Sequence, residues 1–208
     1  DYRLLRGVQD ALVIAYEAHT FSYKPTVSKC FCVTKPRLRE VFAANPRDRV
    51  VQHWVCLRLE PLFEARFVSQ GNVSFNCRKG FGVLRAVKTL SDKMQQISNN
   101  YTEEAWILKI DISGFFMSID RNLLWERLRA FIVKHYHGYK GYDDKEILLY
   151  FVEMIVKHNP QESCIKKGNE KLFELLPDNK TLFNGKPMTG MPIGNLTSQL
   201  FANFYMSE

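Results

Sequence analysis

Asp111 is the residue around which chemistry can be built. It lies in the stretch Trp106-Ile-Leu-Lys-Ile-Asp111-Ile-Ser-Gly-Phe-Phe116-Met-Ser-Ile-Asp120, beside a glycine and ahead of two aromatics. A carboxylate held near the end of a buried strand binds a hard cation well, because it offers oxygen ligands that are already positioned. The alternative is an aspartate that merely caps the next helix. Asp120, shortly before Leu123-Leu124, suits that role better, so the metal reading of Asp111 is preferred. The element that must position it is a strand. Trp106, Leu108, Ile110 and Ile112 alternate with Ile107, Lys109 and Asp111, the period of two expected when one face is wholly apolar.

A second chemistry is suggested by charge. The chain has 208 residues and a formal charge of +7, but residues 24–88 hold 13 Lys and Arg against 4 acids, a net +9 that leaves −2 for the remainder. Such segregation is the electrostatic footprint of a phosphate-rich partner. Within this region Arg78-Lys79-Gly80-Phe81-Gly82 is a basic loop opening a helix marked by Val83, Val87, Leu90, Met94 and Ile97. Glycines permit close backbone approach there, and N–H groups at a helix start attract phosphate.

Other classes are disfavoured. No apolar run approaches the roughly 18 residues that cross a bilayer, no signal-peptide layout opens the chain, and no membrane partner is expected. The 5 cysteines include no Cys-x-x-Cys pair, and Cys30-x-Cys32 reads as two thiols on one side of a strand. The expected setting is reducing and intracellular, in the cytoplasm.

The remaining elements follow from pattern. Leu5, Val8, Leu12, Ala15 and Tyr16 predict a helix over residues 1–20. Cys30–Thr34 and Leu38–Phe42, joined across Lys35-Pro36, predict a basic hairpin. Asn45-Pro46-Arg47-Asp48 has the form of a helix start, and Pro61 is expected to end or kink that helix. Helices are expected again from Leu123 to Ile132 and from Ile147 to Val156. Residues 157–187, with Pro160, Pro177 and Pro187, read as loops and short surface elements. Gly190-Met-Pro-Ile193-Gly194-Asn-Leu-Thr-Ser198-Gln199 is a tight turn running into a helix that carries Leu200, Phe201, Phe204 and Tyr205.

Taken together, three stretches carry a resemblance. Asp111-x-x-x-Phe115-Phe116 followed by Ser118-Ile119 resembles the first catalytic motif of reverse transcriptases. The order Arg39-Glu-Val-Phe, then Pro46-Arg-Asp-Arg, then Arg78-Lys79-Gly80, ahead of the Asp111 strand, is similar to the finger and palm blocks of the prokaryotic enzymes. Ile193-Gly194-Asn-Leu-Thr-Ser198-Gln199 resembles the corresponding motif in diversity-generating retroelements. It departs from the intron, retron and retroviral forms, which usually carry Gln before the Gly and Pro after the Ser. The resemblance runs from about residue 25 to Glu208.

The resemblance implies an α+β chain with the fingers and partial palm of a right-hand polymerase, its antiparallel palm sheet backed by helices. The fingers would comprise residues 1–98 and 137–188, and the partial palm 99–136 and 189–208. The implied activity is copying template RNA into cDNA with two Mg2+ ions in the complete enzyme. Asp111 would bind metal, with the Ile112 carbonyl as a second ligand. Ser113, Gly114 and Phe115 would lie beneath the triphosphate, and Phe116 would be the steric gate that excludes a 2′-hydroxyl. Arg39, with Lys35 and Arg37, would hold the outer phosphates; Arg78, Lys79 and Gly80 would follow the template. Ile193 and Gly194 would border the nascent base pair, and Ser198 and Gln199 complete the family motif. Implied partners are template RNA, the primer–cDNA duplex, deoxynucleoside triphosphates and a basic accessory protein. The family's Tyr-x-Asp-Asp pair should follow Tyr205 and does not occur within these 208 residues, so a fingers–palm fragment without extension activity is expected. Rival readings are another prokaryotic reverse transcriptase, of defence or group II intron type, a nucleic-acid-binding module without chemistry, and an RNA polymerase of similar palm. Phe116 argues against the last.

Overall fold

On either side of the Lys35-Pro36 turn, which contains a cis peptide, two five-residue runs pair as an antiparallel hairpin. Strand β1 (Lys29–Val33) and strand β2 (Arg39–Ala43) place Cys30 opposite Phe42 and Val33 opposite Arg39. Alternation then sorts the side chains. Cys30, Glu40 and Phe42 point inward and are fully buried, while Lys29 and Arg39 are exposed. A third strand, β3 (Ile165–Lys167), joins β1 in parallel, giving the order β2-β1-β3. The sheet is therefore mixed and lies wholly in residues expected to form the fingers, β3 being one of the short surface elements expected over 157–187. Where an antiparallel palm sheet was expected, over 99–136 and 189–208, the described residues form only the Asp120–Thr189 bridge.

The computed structural model describes residues 2–208, with side-chain surroundings given from residue 7 onward. It is α+β, with helices α1 (Tyr2–His19), α2 (Pro46–Ser69), α3 (Val83–Ile97), α4 (Phe115–Ser118), α5 (Arg121–His135), α6 (Lys145–Lys157), α7 (Lys171–Glu174) and α8 (Leu196–Met206). The chain forms two units: residues 1–63 with 114–208, and residues 64–113.

The first unit is organised around α2, α5, α6 and α8. Val51, Val55, Leu59, Leu124, Leu128, Ile132, Leu148, Val152 and Phe201 are all fully buried. Phe63 of α2 stacks on Phe204 of α8 with ring centroids 4.7 Å apart. The start of α2 is built as its sequence predicts, with Asn45 Oδ1 accepting from Arg47 N–H at 3.2 Å. Asp48 turns back instead, accepting from the Tyr23 hydroxyl at 2.8 Å, Thr26 N–H at 2.9 Å and the Thr26 hydroxyl at 2.6 Å. That carboxylate ties the segment before the hairpin to the helix after it. Pro61 does not stop α2, which continues to Ser69. The carbonyl freed by a proline is that of the residue four earlier. Leu57 and Pro61 both lie on the exposed side, where water can take the missing donor's place.

The apolar stripe of α1 faces the other way from what its spacing suggests. Val8, Leu12 and Tyr16 are exposed, while Ile14 and Ala18 are buried. Ala11, Ala15 and Ala18 face Val51, Trp54 and Phe151 across a cavity of about 380 Å3. Leu5 lies outside the residues whose side chains are described. Asp120 caps α5 as expected, accepting from Asn122 N–H at 2.9 Å and Leu123 N–H at 3.1 Å. Asp144, in a polar stretch, is held: it accepts from Arg58 Nε at 2.8 Å and from the Tyr136 hydroxyl.

The second unit contains α3, none of whose residues is buried. The strand expected at Trp106–Ile112 does not form. Trp106, Leu108 and Ile110 are 91%, 85% and 79% exposed, and no described segment pairs with them. A strand needs a partner for its N–H and C=O groups, and an alternating pattern cannot supply one.

Glu40 gives the sheet a titratable anchor. It accepts from Leu182 N–H at 2.5 Å and the Thr181 hydroxyl at 2.7 Å. Burial, the largest influence, raises its carboxyl above the ordinary 4.5, while these hydrogen bonds and Lys166 oppose the rise. A raised folded-state pKa means the native chain holds the proton more tightly than the unfolded chain does. The stability this group contributes is therefore greatest below the ordinary value and falls as pH rises through the raised one. Glu40→Gln removes the titration, so its Tm is expected to gain on wild type as pH rises from 4.5. Thermal melts across the acid-to-neutral range measure this; a difference independent of pH would count against it.

Candidate functional site

In the first unit, three distant stretches are joined by backbone hydrogen bonds. Phe42 N–H on β2 donates to the Ile193 carbonyl at 2.7 Å. Since Phe42 pairs with Cys30 on its other side, this bond covers the outer edge of β2. Ala44 N–H donates to Asn195 Oδ1 at 3.3 Å, so Asn195 serves the strand and does not cap α8. Met191 N–H donates to the Phe116 carbonyl at 2.7 Å, and Gly190 N–H to the Ile119 carbonyl at 2.8 Å. The turn at 190–195 thus links the strand of Arg39 to the short helix of Phe116.

Two glycines make this approach possible. At Gly194 φ is +117°, and a Cβ would sit 2.8 Å from the Phe42 carbonyl oxygen and 2.6 Å from Val41 Cγ1. At Gly114 φ is +61°, and a Cβ would meet the Asn179 carbonyl oxygen at 2.8 Å. Any other residue would be strained and would also displace backbone. Gly114 begins α4, where Phe115 and Phe116 contact edge to face with centroids 5.6 Å apart. Both rings are half-buried.

Cations border this surface. Lys35, Arg37 and Arg39 are exposed, on the hairpin turn and at the start of β2. Lys29 and Lys167 share the outward face of the sheet with Arg39, by register and alternation. The surface carries less free charge than the sequence count suggests, since Arg47 pairs with Glu17 and Arg58 with Asp144. Both acids come from outside residues 24–88. Ile193 is half-buried and Gly194 exposed beside it, whereas Ser198 is buried and Gln199 exposed on α8.

The second unit holds the other candidates. Asp111, Ile112 and Ser113 are exposed on the unpaired segment. Asp111 is therefore not the carboxylate of a buried strand that its sequence context suggests. Among the described residues no group of three or more His, Cys, Asp or Glu is placed to hold a metal.

Arg78 is only 7% exposed and directs its guanidinium inward. It donates to both oxygens of Glu64 at 2.8 Å, to Asn72 Oδ1 at 2.9 Å and to the Ser74 carbonyl at 2.5 Å, and lies 3.8 Å from the Phe81 ring centroid. The arginine fork holds the loop together. Its hydrogen bonds keep the Glu64 carboxyl below the ordinary range. Lys79 and Gly80 are exposed at the tip, with Arg85 bonded to the Gly80 carbonyl at 3.0 Å.

Sequence reasoning missed the contribution of Thr181–Leu182, which anchors Glu40, and of Arg121. Arg121 is 2% exposed and donates to the His158 carbonyl at 2.7 Å and to Asn159 Oδ1. Neither has a local sequence signal, because each partner is far away along the chain.

No protein-family model matches the chain. It is 23% identical over 189 residues to the COX1/OXI3 intron 1 protein of Saccharomyces cerevisiae, covering 90% of this chain and 18% of that protein. It is 27% identical over 109 residues to Protein YkfC of Escherichia coli, covering 51% of this chain and 27% of that protein. The chain thus spans about a fifth to a quarter of the length of these relatives. Among the described residues no helix is long and apolar enough to cross a membrane. The similarity over most of the chain is to a protein named for an intron.

Proposed function

We propose that the chain is part of an RNA-directed DNA polymerase, a reverse transcriptase of the diversity-generating retroelement type. Its share of the reaction is to grip the template and the incoming deoxynucleotide. The observation that carries this reading is that backbone hydrogen bonds join three distant stretches: β2, which carries Arg39, the short helix of Phe116 and the turn at Ile193–Gly194. Similarity to the COX1/OXI3 intron 1 protein across 90% of the chain points the same way.

In this reading Arg39, Lys35 and Arg37 engage the outer phosphates, the guanidinium fork matching phosphate oxygens. Gly114 and Phe115 offer backbone beneath the triphosphate, and the Phe116 ring occupies the space a 2′-hydroxyl would need. Ile193 and Gly194 border the new pair. Lys79 and Gly80 meet the template backbone, and Arg78 stiffens their loop from inside. Asp111 and the Ile112 carbonyl are two oxygen donors suited to Mg2+, which prefers six. They would not complete a site alone, and a bound Mg2+ would need further oxygen donors. A second reading, a nucleic-acid-binding module without chemistry, rests on the exposed Lys35, Arg37 and Arg39 alone.

The 208-residue chain is expected to bind a template–primer duplex without extending it. Affinity should fall at least about tenfold between 50 and 200 mM salt, because phosphate contacts release counterions. Fluorescence anisotropy across a salt series measures this; salt-independent binding, or robust extension by this chain, overturns the assignment.

In the form of the protein that extends primers, Phe116→Val is expected to admit ribonucleotides while keeping most deoxynucleotide incorporation. Single-nucleotide incorporation assays measure the ratio, and an unchanged ratio would make Phe116 a packing residue only. Asp111→Asn in the same protein should reduce extension by about two to three orders of magnitude while leaving duplex binding intact. Retention of most activity would remove Asp111 from the metal site.

A further inference from the structure

The first turn of α8 borders a narrow cavity of about 20 Å3, lined in part by Tyr23, Asp48, Gln52, His158, Thr197 and Ser198. Thr197 and Ser198 are 0% and 1% exposed, yet neither hydroxyl has a hydrogen-bond partner within the protein, and His158 Nε2 has none either. Leaving a buried hydroxyl unpaired is destabilising. All three residues line one cavity, where a single partner could serve them together.

Size and charge choose that partner. A water needs about 10–15 Å3 for its centre and two to four polar neighbours, and this cavity supplies both. An organic ligand does not fit. An anion is disfavoured by Asp48, whose carboxylate accepts three hydrogen bonds but has no cation bonded to it. Burial holds His158 below its ordinary pKa, favouring the neutral ring, which can share a proton with a water.

We infer that the cavity is a binding site for one ordered water, which joins the Thr197 and Ser198 hydroxyls to His158 and Asp48. The water bridges α8, the loop after α6 and the first turn of α2. Pro192 and Asn195, on either side of Gly194, line the same cavity. The water thus anchors the turn from behind, whether or not the chain meets a nucleotide.

The test turns on a sign. Thr197→Val keeps the side-chain shape and deletes the hydroxyl. If the hydroxyl bonds a water, the variant loses that bond, and Tm falls by about 2–4 °C. If the cavity is dry, the variant removes an unsatisfied polar atom, and Tm stays level or rises. A wild-type crystal structure with resolved solvent checks this without any variant. A water is expected within about 3.2 Å of both hydroxyl oxygens. A level or raised Tm, or an empty cavity in the crystal, overturns the inference.

Discussion

Backbone lies on backbone where the turn at Ile193–Gly194 crosses the edge of β2, and the arrangement of the first unit depends on that contact. The bond from Phe42 N–H to the Ile193 carbonyl can form only because Gly194 has no side chain. An edge strand leaves a row of unpaired polar groups, and covering it satisfies them and protects it from pairing elsewhere. The same turn reaches Phe116 through Met191. One crossing thus brings together a strand, a short helix and a turn that no local interaction would assemble.

What was legible in the sequence was what depends on neighbours along the chain. The hairpin differs by about one residue from its predicted bounds, because alternation and a turn fix both strands. Asn45 and Asp120 cap their helices, because a cap bonds N–H groups two or three residues away. What was not legible depends on distant partners. β3 is three residues long, exposed throughout and paired with β1 from far along the chain, so it has no periodicity to read. The stretch Trp106–Ile112 has the periodicity but no partner among the described residues. Arg78 shows the same limit at a candidate site residue. Its type and its glycine neighbours suggest a phosphate contact, yet Glu64 and Phe81 draw it inward.

The two units also differ in how their apolar residues are used. In the first, phenylalanines from α2, α5 and α8 interlock, and Phe131 and Phe204 both contact Phe63. In the second, the apolar residues of α3 and of the segment before Asp111 lie on the surface. Order there comes from a polar centre, the Arg78 fork within its loop. A fork of this kind orders a loop without a large hydrophobic core behind it.

The parallel pairing of β1 with β3 bears on how the protein is made. Lys29 sits opposite Ile165, so the third strand cannot be laid down until the residues between them have been synthesised. Contacts between such distant residues close late, because a long loop must first be brought together. Until then the inner edge of β1, which carries Cys30 and Phe31, is open to any passing strand. Lys29 on that strand and the Lys166-Lys167 pair on its eventual partner guard the same edge at two stages of synthesis. The lysines of this small sheet would thus restrain aggregation in the nascent chain before they serve any ligand.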